Sequence, residues 1–321
     1  MLKFLIKPKM FAYFLFLSFI LLTSACQSIQ FKVIRPAKIN VVGMTPEGKD
    51  PSISIGKWEG HAPNAIDSLI SKISQLILNS PKNIIKLDQS GHGIVKLDGN
   101  LHQFQYEEKL NRENQKCTRY NEKSKKHEQY NCTLYTLVGT ARIKASIRVL
   151  DQSKQVLGGD TVNEYIKVQN SAYDEQPAAI DGNLLLDQVE SIAAEKFAKI
   201  VVPYRDTVHK EWFSCGDASK QCDLALKALQ SENFSQAKDL LFEAIKTLEE
   251  KNGSDSDFAA TWWALALSQE FSGDFSNAKA SLQEALKYKP TEEVFLQEMS
   301  SIKREEENAK KLAKQGLQDA E

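Results

Sequence analysis

The clearest alternation of apolar and polar residues runs from Leu137 to Val149. This period of two predicts a β-strand with one buried face and one wet face. Apolar residues that recur every three to four positions predict amphipathic helices over 65–78 and 185–200. Shorter runs predict further strands at 38–44, 52–57, 83–87, 94–106, 162–168 and 208–213. The sequence therefore predicts an α+β domain over 38–213, with a mainly antiparallel sheet carrying two helices on one face.

The region 214–313 contains an internal repeat. Glu232-Asn-Phe-Ser-Gln-Ala237 recurs as Gly273-Asp-Phe-Ser-Asn-Ala278. The second copy resembles a tetratricopeptide repeat, with Trp, Leu, Ala, Gly and Pro at that family's spacing (Trp262, Leu265, Ala266, Gly273, Ala278, Leu282, Ala285 and Pro290). Two copies are fewer than the three that such arrays usually need, so we expect a capping helix from Thr291. The predicted region is all-α, with tetratricopeptide-like helical hairpins, and residues 314–321 are predicted to fray.

Residues 1–25 have the pattern of a secretory signal peptide. Three lysines precede an apolar run over 10–22, which at about 20 Å is shorter than a bilayer core of about 30 Å. The ending Leu22-Thr-Ser-Ala-Cys26 resembles the lipobox of bacterial lipoproteins. That resemblance implies a lipid on Cys26, with 26–37 as a tether, and Gln27 after it implies the outer membrane by similarity to enterobacterial sorting. Ordinary signal cleavage at the same bond is the alternative.

The cysteine count agrees with a lipidated Cys26. The chain has five cysteines, and four remain if Cys26 carries lipid. In an oxidising compartment these can pair in three ways, and we expect the two sequence-local bridges, Cys117–Cys132 and Cys215–Cys222. Zinc is the competing use, but neither spacing is that of a zinc site. The five histidines are scattered, so we expect no metal.

The stretch 107–131 is almost wholly polar and predicts a solvated hairpin excursion closed by Cys117–Cys132. Its middle carries five cations against one acid (Lys116, Arg119, Lys123, Lys125 and Lys126, with Glu122). These residues form a basic loop that would contact anionic lipid, polysaccharide or a protein. The alternative is a charged tip that only keeps the hairpin soluble.

The repeat predicts a binding groove. In tetratricopeptide arrays the first helix of each pair lines the concave face, which here places Trp263, Leu267 and Phe271 on one stripe, with Leu226 and Leu229 at the equivalent face. An exposed apolar stripe of this kind marks an interaction site for a peptide or protein segment. The alternative is that the capping helix or the α+β domain already covers these residues.

Charge and motifs limit the function classes. The formal net charge is −1, and loss of the three signal-peptide lysines takes it near −4, which argues against a nucleic-acid partner. We find no nucleophile elbow, phosphate-binding glycine loop or metal-ligand set, so we expect no enzyme and no cofactor.

Over about 30–213 the element order resembles the small domain of curli-secretion lipoproteins and of lipoprotein activators of cell-wall synthases. The matching stretches are the entry at 35–37, the helix from Ala65 and the helix ending before Pro203. The whole arrangement resembles spirochaete-type surface lipoproteins, some of them associated with haem, although the histidines here give no support for a haem site. We expect a membrane-anchored adapter or scaffold of the cell envelope that binds another envelope protein or peptide. A component or assembly factor of an outer-membrane secretion pore is the alternative, and an envelope enzyme ranks below both. The sequence leaves the oligomeric state open.

Overall fold

The computed structural model describes residues 27–317. A sheet-rich N-terminal region is followed by a helical C-terminal region. The described chain divides into two compact units. The sheet unit comprises residues 34–204 and 311–317, and the helical unit comprises residues 27–33 and 205–310.

The sheet unit is built on five strands: β2 (Ser52–Gly60), β3 (Lys86–Leu87), β4 (Val95–Asn121), β5 (Lys126–Asp151) and β6 (Val156–Tyr173). Their order is β3-β2-β4-β5-β6. The β4–β5 and β5–β6 ladders are antiparallel, whereas β2 runs parallel to both of its neighbours. The strand predicted from the alternation over 137–149 is part of β5; Leu137 is half-buried, and the other predicted inward residues, every second residue from Gly139 to Val149, are buried.

Two helices cover one face of this sheet: α1 (Pro63–Leu78) and α2 (Gly182–Val201). Each buries one apolar stripe, and Leu69, Ile73, Val189 and Phe197 are fully buried in a core shared with the inward residues of β4 and β5. Lys72 of α1 pairs with Asp187 of α2 at 2.6 Å and with the buried Glu190 at 3.2 Å. The two helices are therefore fixed to each other by charge as well as by packing.

The N-terminal segment differs from its prediction. Residues 27–35, expected to be part of a tether, form strand β1 (Gln27–Arg35), which pairs with β7 (Tyr204–Trp212) in a separate two-stranded sheet. Ile29 and Phe31 alternate with exposed Ser28, Gln30 and Lys32, which is the pattern of a strand with one buried face. The greater part of both strands belongs to the helical unit, although the sequence placed 204–213 in the α+β domain.

The strand predicted at 38–44 is also absent. Residues 38–41 are irregular, and Val42–Met44 forms a short 3-10 turn. The Ile39 N–H donates to the carbonyl of Ile200 at 2.8 Å. This backbone group is satisfied by the end of α2 rather than by a neighbouring strand.

Five helices follow β7: α3 (Ser219–Gln230), α4 (Phe234–Lys251), α5 (Asp255–Phe271), α6 (Phe275–Tyr288) and α7 (Glu293–Lys314). Consecutive helices from α3 to α6 pack against each other. The tetratricopeptide assignment of these pairs stays a prediction.

The repeated motif marks equivalent helix starts. Asn233 caps α4 by accepting from the Gln236 N–H, and Asp274 caps α6 by accepting from the Asn277 N–H. A cap of this type stabilises a helix by about 1 kcal/mol. The residue before each cap is left-handed, Gly273 at φ 81° and Glu232 at φ 59°. The first copy thus holds a glutamate in a conformation that favours glycine.

The predicted fraying of the tail is wrong for residues 314–317. Gln315 and Leu317 are buried, and the Gln315 side chain accepts from the Ala37 N–H and donates to the Ala37 carbonyl, each at 3.0 Å. These bonds hold the end of the described chain within the sheet unit. Between residues 27 and 317, no helix combines the length and apolar content needed to cross a membrane.

Candidate functional site

The predicted groove stripe lies in the interior of the helical unit. The Trp263 side chain is fully buried, and its indole N–H donates to the Glu211 carbonyl of β7 at 2.9 Å. Its ring stacks on Phe295 of α7, with 4.9 Å between centroids, and meets Phe213 edge-on. An indole with its polar atom satisfied and its faces covered is a core residue.

The other predicted groove residues are covered in the same way. Phe271 is half-buried, and its ring stacks on Phe31 of β1 with 3.7 Å between ring centroids. Leu267 and Leu229 are fully buried, and Leu226 is 9% exposed. The prediction of an accessible partner-binding groove at these five residues is therefore wrong, because β1, β7 and α7 of the same chain occupy the apolar face.

A buried charged cluster lies beside this interior. Lys210 of β7 forms an ion pair with Glu298 of α7 and donates to the Ser301 hydroxyl at 3.0 Å. Its ammonium is 3.8 Å from a carboxylate oxygen of Glu270 on α5. The Lys210 ammonium also lies 5.6 Å from the centroid of the Phe271 ring, within reach of a cation–π attraction. One lysine thus faces two buried carboxyl groups.

Glu270 is the member of the cluster whose ionised form is least compensated by its neighbours. Neither of its oxygens has a hydrogen bond among the described residues. Burial raises the pKa of Glu270 to about 9, the Glu298 carboxyl adds to the rise, and Lys210 opposes it. When Glu270 is protonated, the cluster carries one positive charge, on Lys210, and one negative charge, on Glu298. The protonated carboxyl can then donate a hydrogen bond to the Glu298 carboxylate. The arrangement pins β7 against α5 and α7.

Sequence reasoning missed this cluster. Its members are 60 and 28 residues apart along the chain, at positions 210, 270 and 298, so no local motif joins them. One local signal existed, because Glu270 sits between Leu267 and Phe271 in an otherwise apolar stripe of α5. A charged residue on a buried helical face calls for a buried partner.

The second candidate surface is the far end of the β4–β5 hairpin. Pairing with β6 begins at Leu134, which lies opposite Glu113, so residues 114–133 form a two-stranded ribbon, called here the arm. Eight residues on each side extend it by about 27 Å. The five predicted basic residues, from Lys116 to Lys126, lie in this arm, are exposed, and form no ion pair with any described residue.

Cross-strand contacts order the arm. The Cys117–Cys132 disulfide joins its strands diagonally, with 5.8 Å between Cα atoms. The Arg119 guanidinium lies 5.2 Å from the centroid of the Tyr130 ring, and Tyr120 meets His127 edge-on on the opposite face. Tyr120 remains 54% exposed. The arm thus presents ordered cations and aromatic rings to solvent although it contributes nothing to a core.

The second predicted bridge is also formed. Cys215 and Cys222 are joined with 6.2 Å between Cα atoms, and both are buried. Cys215 follows β7 and Cys222 lies in α3, so the bridge joins these two elements inside the helical unit. Cys26 lies outside the described residues, and among residues 27–317 no group of three or more histidine, cysteine or acidic side chains could hold a metal ion.

Comparison with known proteins identifies no family for this chain. No family model matches the chain, and no curated protein matches it. Among solved structures, a PelC dodecamer from Paraburkholderia phytofirmans matches with 10% identity and a TM-score of 0.27, covering 55% of this chain and 98% of that one. A likeness at this level carries no argument about function.

Proposed function

We propose that this chain is a lipid-anchored adapter of the cell envelope, without catalytic activity, that contacts a partner protein through the arm. The anchor is Cys26, and the outer membrane is the proposed location. The observation that carries the proposal is the exposed, disulfide-braced arm at residues 114–133.

The arm is suited to binding because its order does not come from burial. Two-stranded ribbons are marginally stable in water, and this one is held by a disulfide and by cross-strand ring contacts. Tyrosine and arginine are, with tryptophan, the side chains enriched among those that dominate binding energy at interfaces. A preordered surface also loses less conformational entropy when a partner binds.

Site-specific crosslinking in intact membranes tests the proposal. A photoreactive residue replaces Tyr120 at the exposed arm, and the matched control carries it at Leu224, which is 43% exposed on α3. We expect a discrete protein adduct from position 120 that is absent from position 224. Identical adducts from both positions, or none from position 120, contradict the proposal.

A shortened chain gives the second test. Glu113 and Leu134 are directly paired, so replacing residues 114–133 by Asn-Gly closes the hairpin with a two-residue turn. We expect the shortened protein to keep its melting temperature and to lose co-purification with the protein captured at position 120. Retained co-purification would place the contact elsewhere.

A further inference from the structure

The β4–β5–β6 sheet has an uncovered face on the side away from α1 and α2. Inward residues such as Ala141, Ile143 and Ala145 are buried, and the residues between them are exposed or half-buried. This surface, called here the open face, lies beside the arm but does not include it. Its charged members are six cations and three acids: Lys96, Lys109, Arg142, Lys144, Arg148, Lys167, Asp98, Glu107 and Glu113.

Three of the cations form a cluster at the centre of the open face. Arg142, Lys144 and Lys167 are exposed, and none forms an ion pair with any described residue. Arg142 and Lys144 are two residues apart on β5, which spaces them by about 7 Å, and Lys167 is on the neighbouring strand, diagonal to Arg142. Elsewhere on this face, by contrast, Arg148 lies opposite Asp98.

The side chains directly opposite this cluster in the ladders are hydrogen-bonding and uncharged, and one acid, Glu107, lies diagonal to Arg142 on β4. The side chains directly opposite the three cations in the ladders are Gln103, Gln105, Thr140, Asn163 and Tyr165. Tyr165 is 65% exposed, and the Arg142 guanidinium lies 5.7 Å from the centroid of its ring. The result is a surface of amides, hydroxyls and one aromatic ring around three cations that form no ion pair with a described residue.

We infer that the open face binds an anionic polysaccharide, with Arg142, Lys144 and Lys167 contacting its acidic groups and the amides and Thr140 contacting its hydroxyls. The inference concerns a surface separate from the arm and does not depend on the arm's partner. The occupant follows from charge complementarity and from the polar lining. A sugar polymer offers closely spaced anionic groups and hydroxyls, which match cations about 7 Å apart among neutral hydrogen-bonding side chains.

Two other occupants fit this surface less well. A protein interface needs a buried apolar or aromatic anchor, and the side chains opposite the cations include only one ring. Binding in the plane of a membrane uses apolar side chains inserted below the headgroups, and the side chains around this cluster are polar. The membrane is a separate outcome of the test, and a protein occupant would leave both polymers unbound.

The test measures binding of the full mature chain to polygalacturonate and to heparin, a carboxylated and a sulfated polymer, with neutral dextran beside them. We expect binding to at least one anionic polymer and none to dextran, weakening as salt rises from about 0.05 M to about 0.5 M. In the triple variant Arg142→Gln, Lys144→Gln, Lys167→Gln the dissociation constant should rise about tenfold or more. Because these side chains are exposed, the melting temperature should not change.

The matched control removes three exposed lysines of the helical unit, Lys220→Gln, Lys227→Gln and Lys246→Gln, which changes the net charge equally. We expect the control to bind like the unaltered chain. Equal losses in both triple variants would reduce the effect to net charge and overturn the inference. Failure to bind either polymer overturns it, as does binding only to vesicles containing anionic phospholipid. Loss of binding on arm shortening, with the open face intact, also overturns it.

Discussion

At the scale of single residues, Glu270 is a buried carboxyl group whose ionised form is disfavoured by its surroundings. Its carboxyl is buried, and it faces the ammonium of Lys210, the carboxyl of Glu298 and the nearby Glu305. In the unfolded chain Glu270 ionises near its ordinary pKa of 4.5, whereas the folded protein holds the proton up to a pKa of about 9. The folded state therefore holds this proton more tightly than the unfolded chain does. The resulting stabilisation is fully present below pH 4.5 and is lost as the pH rises toward 9.

The variant Glu270→Gln should remove that pH dependence. Between pH 4.5 and 9 the free energy of unfolding of the unaltered chain should fall by at most about 1.4 kcal/mol per pH unit from this group. The substituted amide stays neutral at every pH, so the variant should become progressively more stable than the unaltered chain as pH rises. Thermal unfolding at a series of pH values measures this. The exposed Glu243→Gln serves as the control, and parallel pH profiles for Glu270→Gln and the unaltered chain would show the expectation to be wrong.

Trp263 should behave as a core residue. Trp263→Ala removes a fully buried ring that contacts Phe213 and Phe295, which should lower the free energy of unfolding by about 3–5 kcal/mol. The adjacent Trp262 is only half-buried, so Trp262→Ala should cost less. Urea unfolding followed by circular dichroism compares them. A small loss of unfolding free energy in Trp263→Ala, together with loss of partner binding, would support the accessible groove that the sequence predicts.

At the scale of elements, the two disulfides should act differently. Cys117–Cys132 braces an arm without a core, so the Cys117→Ser, Cys132→Ser variant should loosen residues 114–133 and leave the melting temperature nearly unchanged. Cys215 and Cys222 are buried, and replacing both by alanine should cost about 2–5 kcal/mol. Hydrogen exchange measures the first effect, and thermal unfolding measures the second. Unchanged exchange in the arm of the serine variant would mean that the strand pairing alone orders it.

The elements that could be predicted from the sequence are those in which one apolar periodicity continues over many residues. Alternation along β5 and the apolar stripes of α1 and α2 predicted their type because each buries one continuous face. β1 was missed although Ile29 and Phe31 alternate with polar residues, because a segment after a lipobox was interpreted as a tether.

The sequence identifies the repeat, but it does not show whether the apolar face of the repeat is accessible to a partner. The pattern of Trp263, Leu267 and Phe271 identifies an apolar helical face and does not specify what covers that face. Phe31 and Phe295 are far from these residues along the chain, so only the tertiary structure brings them together. The arm was predicted as an excursion because its polarity excludes a core, and the Cys117–Cys132 bridge, expected among three possible pairings, is formed.

At the scale of the whole molecule, the proposed lipid on Cys26 would decide where the protein works. A lipid on Cys26 predicts partitioning into detergent and an acyl mass on the mature N-terminus. Cys26→Ala should release the protein into a soluble fraction or block its processing, because no other segment is proposed to hold it at the membrane. Mass spectrometry of the N-terminal peptide and detergent-phase separation check this. An unmodified N-terminus would mean that the protein is exported without lipid.

The helical unit combines the first described residues, 27–33, with residues 205–310, and this constrains how it can fold after synthesis. β1 is made early, but its partner β7 begins about 170 residues later, and the helices that bury Ile29 and Phe31 follow after that. A chain emerging from the export channel N-terminus first would carry these two apolar side chains without their cover until most of it had crossed. A fragment ending at residue 204 would therefore keep β1 as an unpaired, aggregation-prone strand next to the proposed lipid, and full-length export is the condition for a protected N-terminus.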